Sequence, residues 1–177
     1  MLPDLLRPGL DVVFCGTAVA DRSADLGHYY AGPGNDFWQL LGESRIVPKR
    51  IPLSDDHTVV GLGIGLTDLV KCRSASDDGL LTSEDFDVVG FVEKIETNTP
   101  RWVAFHGKTA ARAYRRVSGS ASQSLGVQTW RVANSEVFVV PSSSGSNRRP
   151  TYDGLSSRLE WFQLLRDAVW PIGGFAD

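Results

Sequence analysis

Thiols and imidazoles are scarce in this chain: two cysteines and three histidines occur in 177 residues. Cys15, in an apolar run, and Cys72, in a polar stretch, cannot supply the four thiolates of a zinc or iron–sulfur site. Three scattered histidines do not complete one, so no bound metal is expected. Long hydrophobic runs are also missing, which excludes a membrane-spanning helix and leaves no membrane partner. The start at Met1-Leu2-Pro3-Asp4 lacks the basic-then-apolar layout of a signal peptide, so a cytoplasmic location is expected. An excess of positive charge is absent as well: the formal net charge is −3. That excludes binding through overall charge, whereas phosphate contacts need only a local patch. Basic residues do gather at Lys49-Arg50, Lys71 with Arg73, Lys108 with Arg112, Arg115-Arg116 and Arg148-Arg149, although each group alone reads as solvated surface. There are no internal repeats.

What the chain does contain is enough apolar material, 42% of residues, to fill one core, and its length fits one domain spanning 1–177. Val12-Val13-Phe14-Cys15 reads as a strand buried on both faces. The Gly16-Thr17-Ala18 turn after it lets another molecule approach the backbone, as the carboxyl ends of strands do in open α/β sheets. A polar, aromatic loop from Asp21 to Gly34 follows, and then a helix carrying Phe37, Trp38, Leu40 and Leu41. Ser54-Asp55-Asp56 opens another helix, closed by Gly61, and Ile64 to Val70 reads as a short strand with a carboxylate, Asp68, inside it. Thr82-Ser83-Glu84-Asp85 resembles a capping box for a helix whose apolar face is Phe86, Val89, Val92 and Ile95. Trp102 to Phe105 is the next strand, ending at His106-Gly107, and Lys108 to Arg116 form a helix with a basic face. Gly126–Val132 and Val137–Pro141 read as strands joined by a hairpin at Ala133-Asn134-Ser135. A serine-rich loop, 142–149, precedes a last helix with Leu159, Phe162, Leu165 and Val169 on one face, before Pro171 and a Gly-rich tail. Strands alternating with helices predict an α/β fold, a three-layer αβα sandwich around a mostly parallel central sheet.

Two familiar patterns can be set aside. Gly107-Lys108-Thr109 mimics the end of a phosphate-binding P-loop, but Trp102 stands where its first glycine belongs. Gly61, Gly63 and Gly65 mimic dinucleotide glycines in the wrong register.

A combination of separated stretches is more specific. Cys15-Gly16-Thr17-Ala18, then Tyr30-Ala31-Gly32-Pro33-Gly34-Asn35-Asp36-Phe37-Trp38, then Gly65 to Val70, then Pro141 to Arg148 occur in the order of one family. The chain resembles, from Gly9 to about Trp170, the mismatch-specific uracil-DNA glycosylases, bacterial relatives of thymine-DNA glycosylase. The resemblance implies a uracil-DNA glycosylase-like fold, hydrolysis of the N-glycosidic bond of a flipped deoxyuridine, and no cofactor. The implied partner is DNA, as a duplex carrying uracil or a mismatch, with single strands left open. The protein is then expected to work as a monomer at the bacterial nucleoid.

A base to be excised has to leave the duplex and be held in a pocket by stacking and edge contacts. On this resemblance Gly16, Thr17, Ala18, Tyr30 and Ser142 form the base pocket, with Tyr30 the stacking ring. By itself Tyr30 would read as an ordinary half-buried aromatic. The loop residues Ser143, Ser144, Gly145, Ser146, Asn147 and Arg148, together with Lys71, are the expected DNA contacts, although a Ser- and Gly-rich loop also suits a plain surface turn.

The chain departs from the family pattern at two places. Where the pattern has Gly-x-Asn-Pro-Gly, with the asparagine positioning the attacking water, this chain has Gly16-Thr17-Ala18-Val19-Ala20, and the Ala18 methyl holds no water. Asp68 is the replacement we favour, because a carboxylate there polarises water and stabilises the cationic sugar of the transition state. Its plainer role is to cap a turn or to pair with Lys71 or Arg73. Second, Ser146 stands where the family has a bulky wedge, so Asn147 or Arg148 would have to fill the gap left by a flipped base, and Arg148 suits a phosphate equally well. The contrasting reading is a non-catalytic protein on the same fold that binds uracil or an abasic site.

Overall fold

The computed structural model describes residues 2–75, 79, 81–118 and 124–171. Its centre is a five-stranded sheet in the order β2-β1-β3-β5-β4, formed by β1 (Val12–Ala18), β2 (Ile64–Val70), β3 (Trp102–His106), β4 (Gly126–Val127) and β5 (Glu136–Val140). The first four in that order run parallel, and β4 pairs antiparallel with β5. β2 is buried at all seven positions and β1 at its first six, as parallel strands covered on both faces require. Helices α1 (Asp21–Leu26), α2 (Phe37–Glu43), α3 (Val88–Asn98), α4 (Lys108–Ser118) and α5 (Arg158–Val169) flank the sheet. The α/β expectation with a mostly parallel sheet is met. β1 has β2 on one side and β3 on the other, so the strand order reverses direction about it. Such a switch point opens a crevice at the strands' carboxyl ends.

Several local expectations are corrected. The turn expected at Gly16-Thr17-Ala18 is strand: β1 runs on through Gly16 to Ala18, where the ladder to β2 continues. The 21–34 loop contains α1, whose six residues end at Gly27 in the left-handed conformation, φ 76°. It is too short and too polar to show helical periodicity. The 82–85 capping box is real, but it starts a single 3-10 turn over Ser83–Asp85, and α3 begins only at Val88 with Asp87 accepting from the Gly90 N–H. This later start turns the buried face to Val88, Phe91 and Ile95, and leaves Val89 68% exposed. The second acidic start is a 3-10 segment, Leu53–Leu62, with non-helical backbone at Asp55. β4 stops after two residues because Trp130 packs on Tyr114, 5.5 Å between ring centroids, with the Arg115 guanidinium over its ring. The Gly-rich tail, 172–177, lies outside the described residues.

Candidate active-site cleft

A cleft of about 480 Å³ opens at the carboxyl ends of β1, β2, β3 and β5. Gly16, Thr17, Ala18, Tyr30, Asp68, Ser142, Ser144, Ser146 and Asn147 all line it. Residues separated by up to 131 positions in the chain are thus brought together by the parallel register, in which Gly16 lies beside Asp68.

Asp68 is 3% exposed. It stands in the middle of a core strand, where burying a carboxylate costs on the order of several kcal/mol unless polar contacts offset it. Gly16 is what makes room for it: an ideal Cβ at residue 16 would overlap Asp68 Oδ1 and lie 3.6 Å from the Tyr30 hydroxyl oxygen. The Gly16 backbone, the Asp68 carboxylate and the Tyr30 hydroxyl therefore share one small volume. Burial, then the Asp68 charge, push the Tyr30 phenol well above its ordinary range, so it stays protonated. Its hydroxyl is buried without a hydrogen-bond partner among the described residues.

Tyr30 has φ 55°, a left-handed backbone that costs a residue with a side chain about 1–2 kcal/mol. Its neighbours hold it there. The Tyr29 N–H donates to the buried Asp56 carboxylate at 2.9 Å, the Trp38 indole N–H donates to the Tyr29 carbonyl at 2.9 Å, and the Ala31 N–H donates to Ser23 Oγ at 2.9 Å. The Tyr30 ring lies on Phe37, 3.8 Å between centroids at 24°, and meets His106 edge-on at 4.9 Å.

His106 ends β3 and is 8% exposed. Burial, with the Arg158 charge second, lowers its pKa to about 3, so the ring is neutral at physiological pH. Its Nε2 accepts the Ser143 N–H at 2.9 Å, which places the ring proton on Nδ1. Ser143 Oγ donates to Asn35 Oδ1 at 2.6 Å, the same oxygen accepts the Phe37 N–H at 3.0 Å, and the Asp36 N–H donates to the Ser143 carbonyl at 3.1 Å. With Oδ1 taken twice, the Asn35 amide NH₂ is the group left to donate, and Asn35 lines the cleft. Arg158, 8% exposed at the start of α5, donates to the Ser144 carbonyl at 3.1 Å and the Ser142 carbonyl at 3.4 Å, and pairs with Asp36. The two loops also approach closely at Gly145, where a Cβ would come within 3.0 Å of the Gly34 carbonyl oxygen.

Four of the sequence candidates fall outside the cleft lining. Ser143 has no exposed surface, and its backbone and hydroxyl groups bond within the protein. Gly145 serves the loop contact just described. Arg148 is 66% exposed and sits 3.4 Å from Asp36. Lys71 pairs with Asp4 at 2.7 Å. Sequence reasoning did not single out Asn35, His106 or Arg158 as a connected set, because the bonds joining them span 37 to 122 positions. No group of three or more His, Cys, Asp or Glu among the described residues could hold a metal ion. No helix among them is long and apolar enough to cross a membrane.

The uracil DNA glycosylase superfamily profile matches residues 3–166. The chain belongs to that superfamily. Among solved structures it is similar to the solution NMR structure of a proposed uracil DNA glycosylase from Methanosarcina acetivorans, at 26% identity and a TM-score of 0.64, covering 92% of this chain and 94% of that one.

Proposed function

We infer that this protein is a monofunctional DNA glycosylase of the mismatch-specific type, which hydrolyses the N-glycosidic bond of a flipped deoxyuridine and leaves an abasic site. The observation that carries this reading is the buried Asp68 carboxylate, housed against the side-chain-free Gly16 in a cleft where Ala18 stands in place of the usual asparagine. As the bond breaks, the sugar gains positive charge and the base negative charge. A fixed carboxylate in a site shielded from water stabilises the first and orients an attacking water. Neutral donors suit the second: the Tyr30 hydroxyl, the Asn35 amide and the His106 ring can share the charge of the departing base without bringing a cation that would pair with Asp68. Tyr30, backed by Phe37, offers its remaining face to the base. Lys108, the lysine among the cleft-lining residues, is tied to Asp153 at 2.7 Å, which argues against a Schiff base with the sugar.

Ala18, which lines the cleft with only a methyl group, favours the second reading, a protein that binds uracil or an abasic site without cleaving. Single-turnover release of uracil from a labelled oligonucleotide, with alkali to reveal abasic sites, separates the two. The wild type is expected to release the base, and Asp68→Asn to bind the same DNA while releasing it on the order of 10²–10³ times more slowly. Binding without release by the wild type would establish the second reading. Equal rates for both proteins would remove Asp68 from catalysis.

A further inference from the structure

The cleft has an asymmetric rim. Its lining residues from the end of β1 through α1, namely Thr17, Ala18, Val19, Ala20 and Ser23, carry no charge. On α4 and the loop before α5, by contrast, Lys108, Arg112 and Arg149 all border the cleft. Several cations elsewhere are held by acids, as at Lys94 with Asp4, Arg101 with Asp11 and Arg166 with Asp167. Arg112 and Arg149 are exposed and make no ion pair among the described residues. Between them Asp153 accepts from Lys108 at 2.7 Å and from the Leu125 N–H at 2.9 Å, and so fastens the 149–153 loop to the start of α4. The loop is fixed from its other side by Tyr152, whose hydroxyl donates to the Asn147 carbonyl at 2.7 Å and accepts the Arg149 N–H at 3.1 Å. The cations thus stand on a braced framework rather than on a loose surface turn.

Their spacing is also regular. Lys108, Arg112 and Arg116 recur every four residues on one face of α4, about 6 Å apart along the axis, and Arg116 continues the row away from the cleft without an ion pair among the described residues. A net charge of −3 makes such a row stand out from the rest of the surface.

We propose that Arg149 and Arg112, continued by Arg116, form the backbone track for the damaged strand itself, binding the phosphates next to the flipped nucleotide, while Lys108 braces the track through Asp153. This rests on the glycosylase reading. A nucleotide turned into the cleft stays joined to its two phosphates, so cations that border the cleft mouth lie nearest that strand and not its complement. The track accordingly works on a single strand as well as on a duplex, and the small Ser146 at the wedge position is consistent with a site that grips one strand.

The test is the salt dependence of binding of full-length protein to a fluorescein-labelled uracil oligonucleotide, single-stranded and annealed, between 50 and 200 mM KCl. Each phosphate contact adds about 0.9 to the slope of log affinity against log salt on duplex, and about 0.7 on a single strand. Arg112→Ala and Arg149→Ala are each expected to lower the slope by those amounts on the two DNAs. On duplex the fall in affinity across the range then becomes about 3.5-fold shallower per variant. Arg112→Lys should keep the wild-type slope. Arg101→Ala, a change of equal charge at the opposite end of β3, should also keep it. Slopes altered on duplex but not on single strands would assign the rim to the complementary strand and overturn the proposal. Slopes unaltered on both, or lowered equally by Arg101→Ala, would overturn it too while leaving the glycosylase reading intact. A wild type that binds neither DNA would instead defeat that reading and this proposal with it.

Discussion

Two acids stand at adjacent positions of β2, Asp4 bonded to Thr67 and Asp68 within the strand itself, and their surroundings differ. Thr67 donates its hydroxyl to Asp4 at 2.7 Å, and that carboxylate also holds Lys71 at 2.7 Å and Lys94 at 2.8 Å. Burial would push Asp4 up, but bonds from Lys71, Lys94 and Thr67 outweigh it and hold the carboxyl below its ordinary range. The next residue, Asp68, lies along a core strand and borders the cleft. Asp4 is arranged to fasten the N-terminal segment to the sheet. Asp68 lines the cleft, and Lys71, the nearest cation in sequence, is taken by the other acid. The lesson is that burial alone does not separate a structural carboxylate from a chemical one; what lies around it does.

The comparison can be broken in four places. The largest effect is expected at Asp68→Asn, with the loss of base release described above, because an amide of the same shape removes the carboxylate from the cleft. Unchanged base release by the folded variant would class Asp68 with Asp4. Next, Gly16→Ala drives a methyl into the Asp68 carboxylate. It should slow base release at least tenfold, a barrier rise of about 1.4 kcal/mol, and destabilise the fold by about 1–3 kcal/mol. Normal activity in that variant would show that the carboxylate can move aside without consequence. Third, Asp4→Asn should leave base release unchanged while costing about 2 kcal/mol, or roughly 4–8 °C in melting temperature for a chain of this size. Calorimetry beside the release assay reads both.

The smallest effect concerns His106. Its folded pKa, about 3, lies below the ordinary 6.5, so as pH falls the unfolded chain takes up the proton first. The stability contributed by the neutral ring is complete above about pH 6.5 and is lost as pH drops towards 3. In His106→Gln, whose amide oxygen can still accept the Ser143 N–H, the decline in melting temperature between pH 6.5 and 4.5 should be shallower than in the wild type. Parallel declines would mean that His106 is not held neutral. The window stays above the range in which Asp4 and Asp153, both held low by their lysines, add their own acid dependence.

Much of this arrangement was legible from residue order. The doubly buried β1 with its glycine, the strand around Asp68 and the serine loop after β5 are local patterns. Boundaries were less legible: the α3 face shifted because the capping box served a 3-10 turn, and β4 was cut short by Trp130 packing onto α4. The hydrogen-bonded frame of the site was not legible at all. Asn35 with Ser143, and Arg158 with Asp36, join residues more than 100 positions apart, and nothing local announces such partners.

Composition and periodicity by themselves determined an α/β chain with a buried parallel sheet and a glycine near the carboxyl end of its central strand, because backbone geometry and apolar patterning act over a few residues. Which carboxylate faces the cleft, which lysine is neutralised, and which arginines stand on the rim were decided only by the tertiary structure. Charges sort by distance in space, and the register that sets Gly16 beside Asp68 and Lys71 beside Asp4 exists only once the strands have paired.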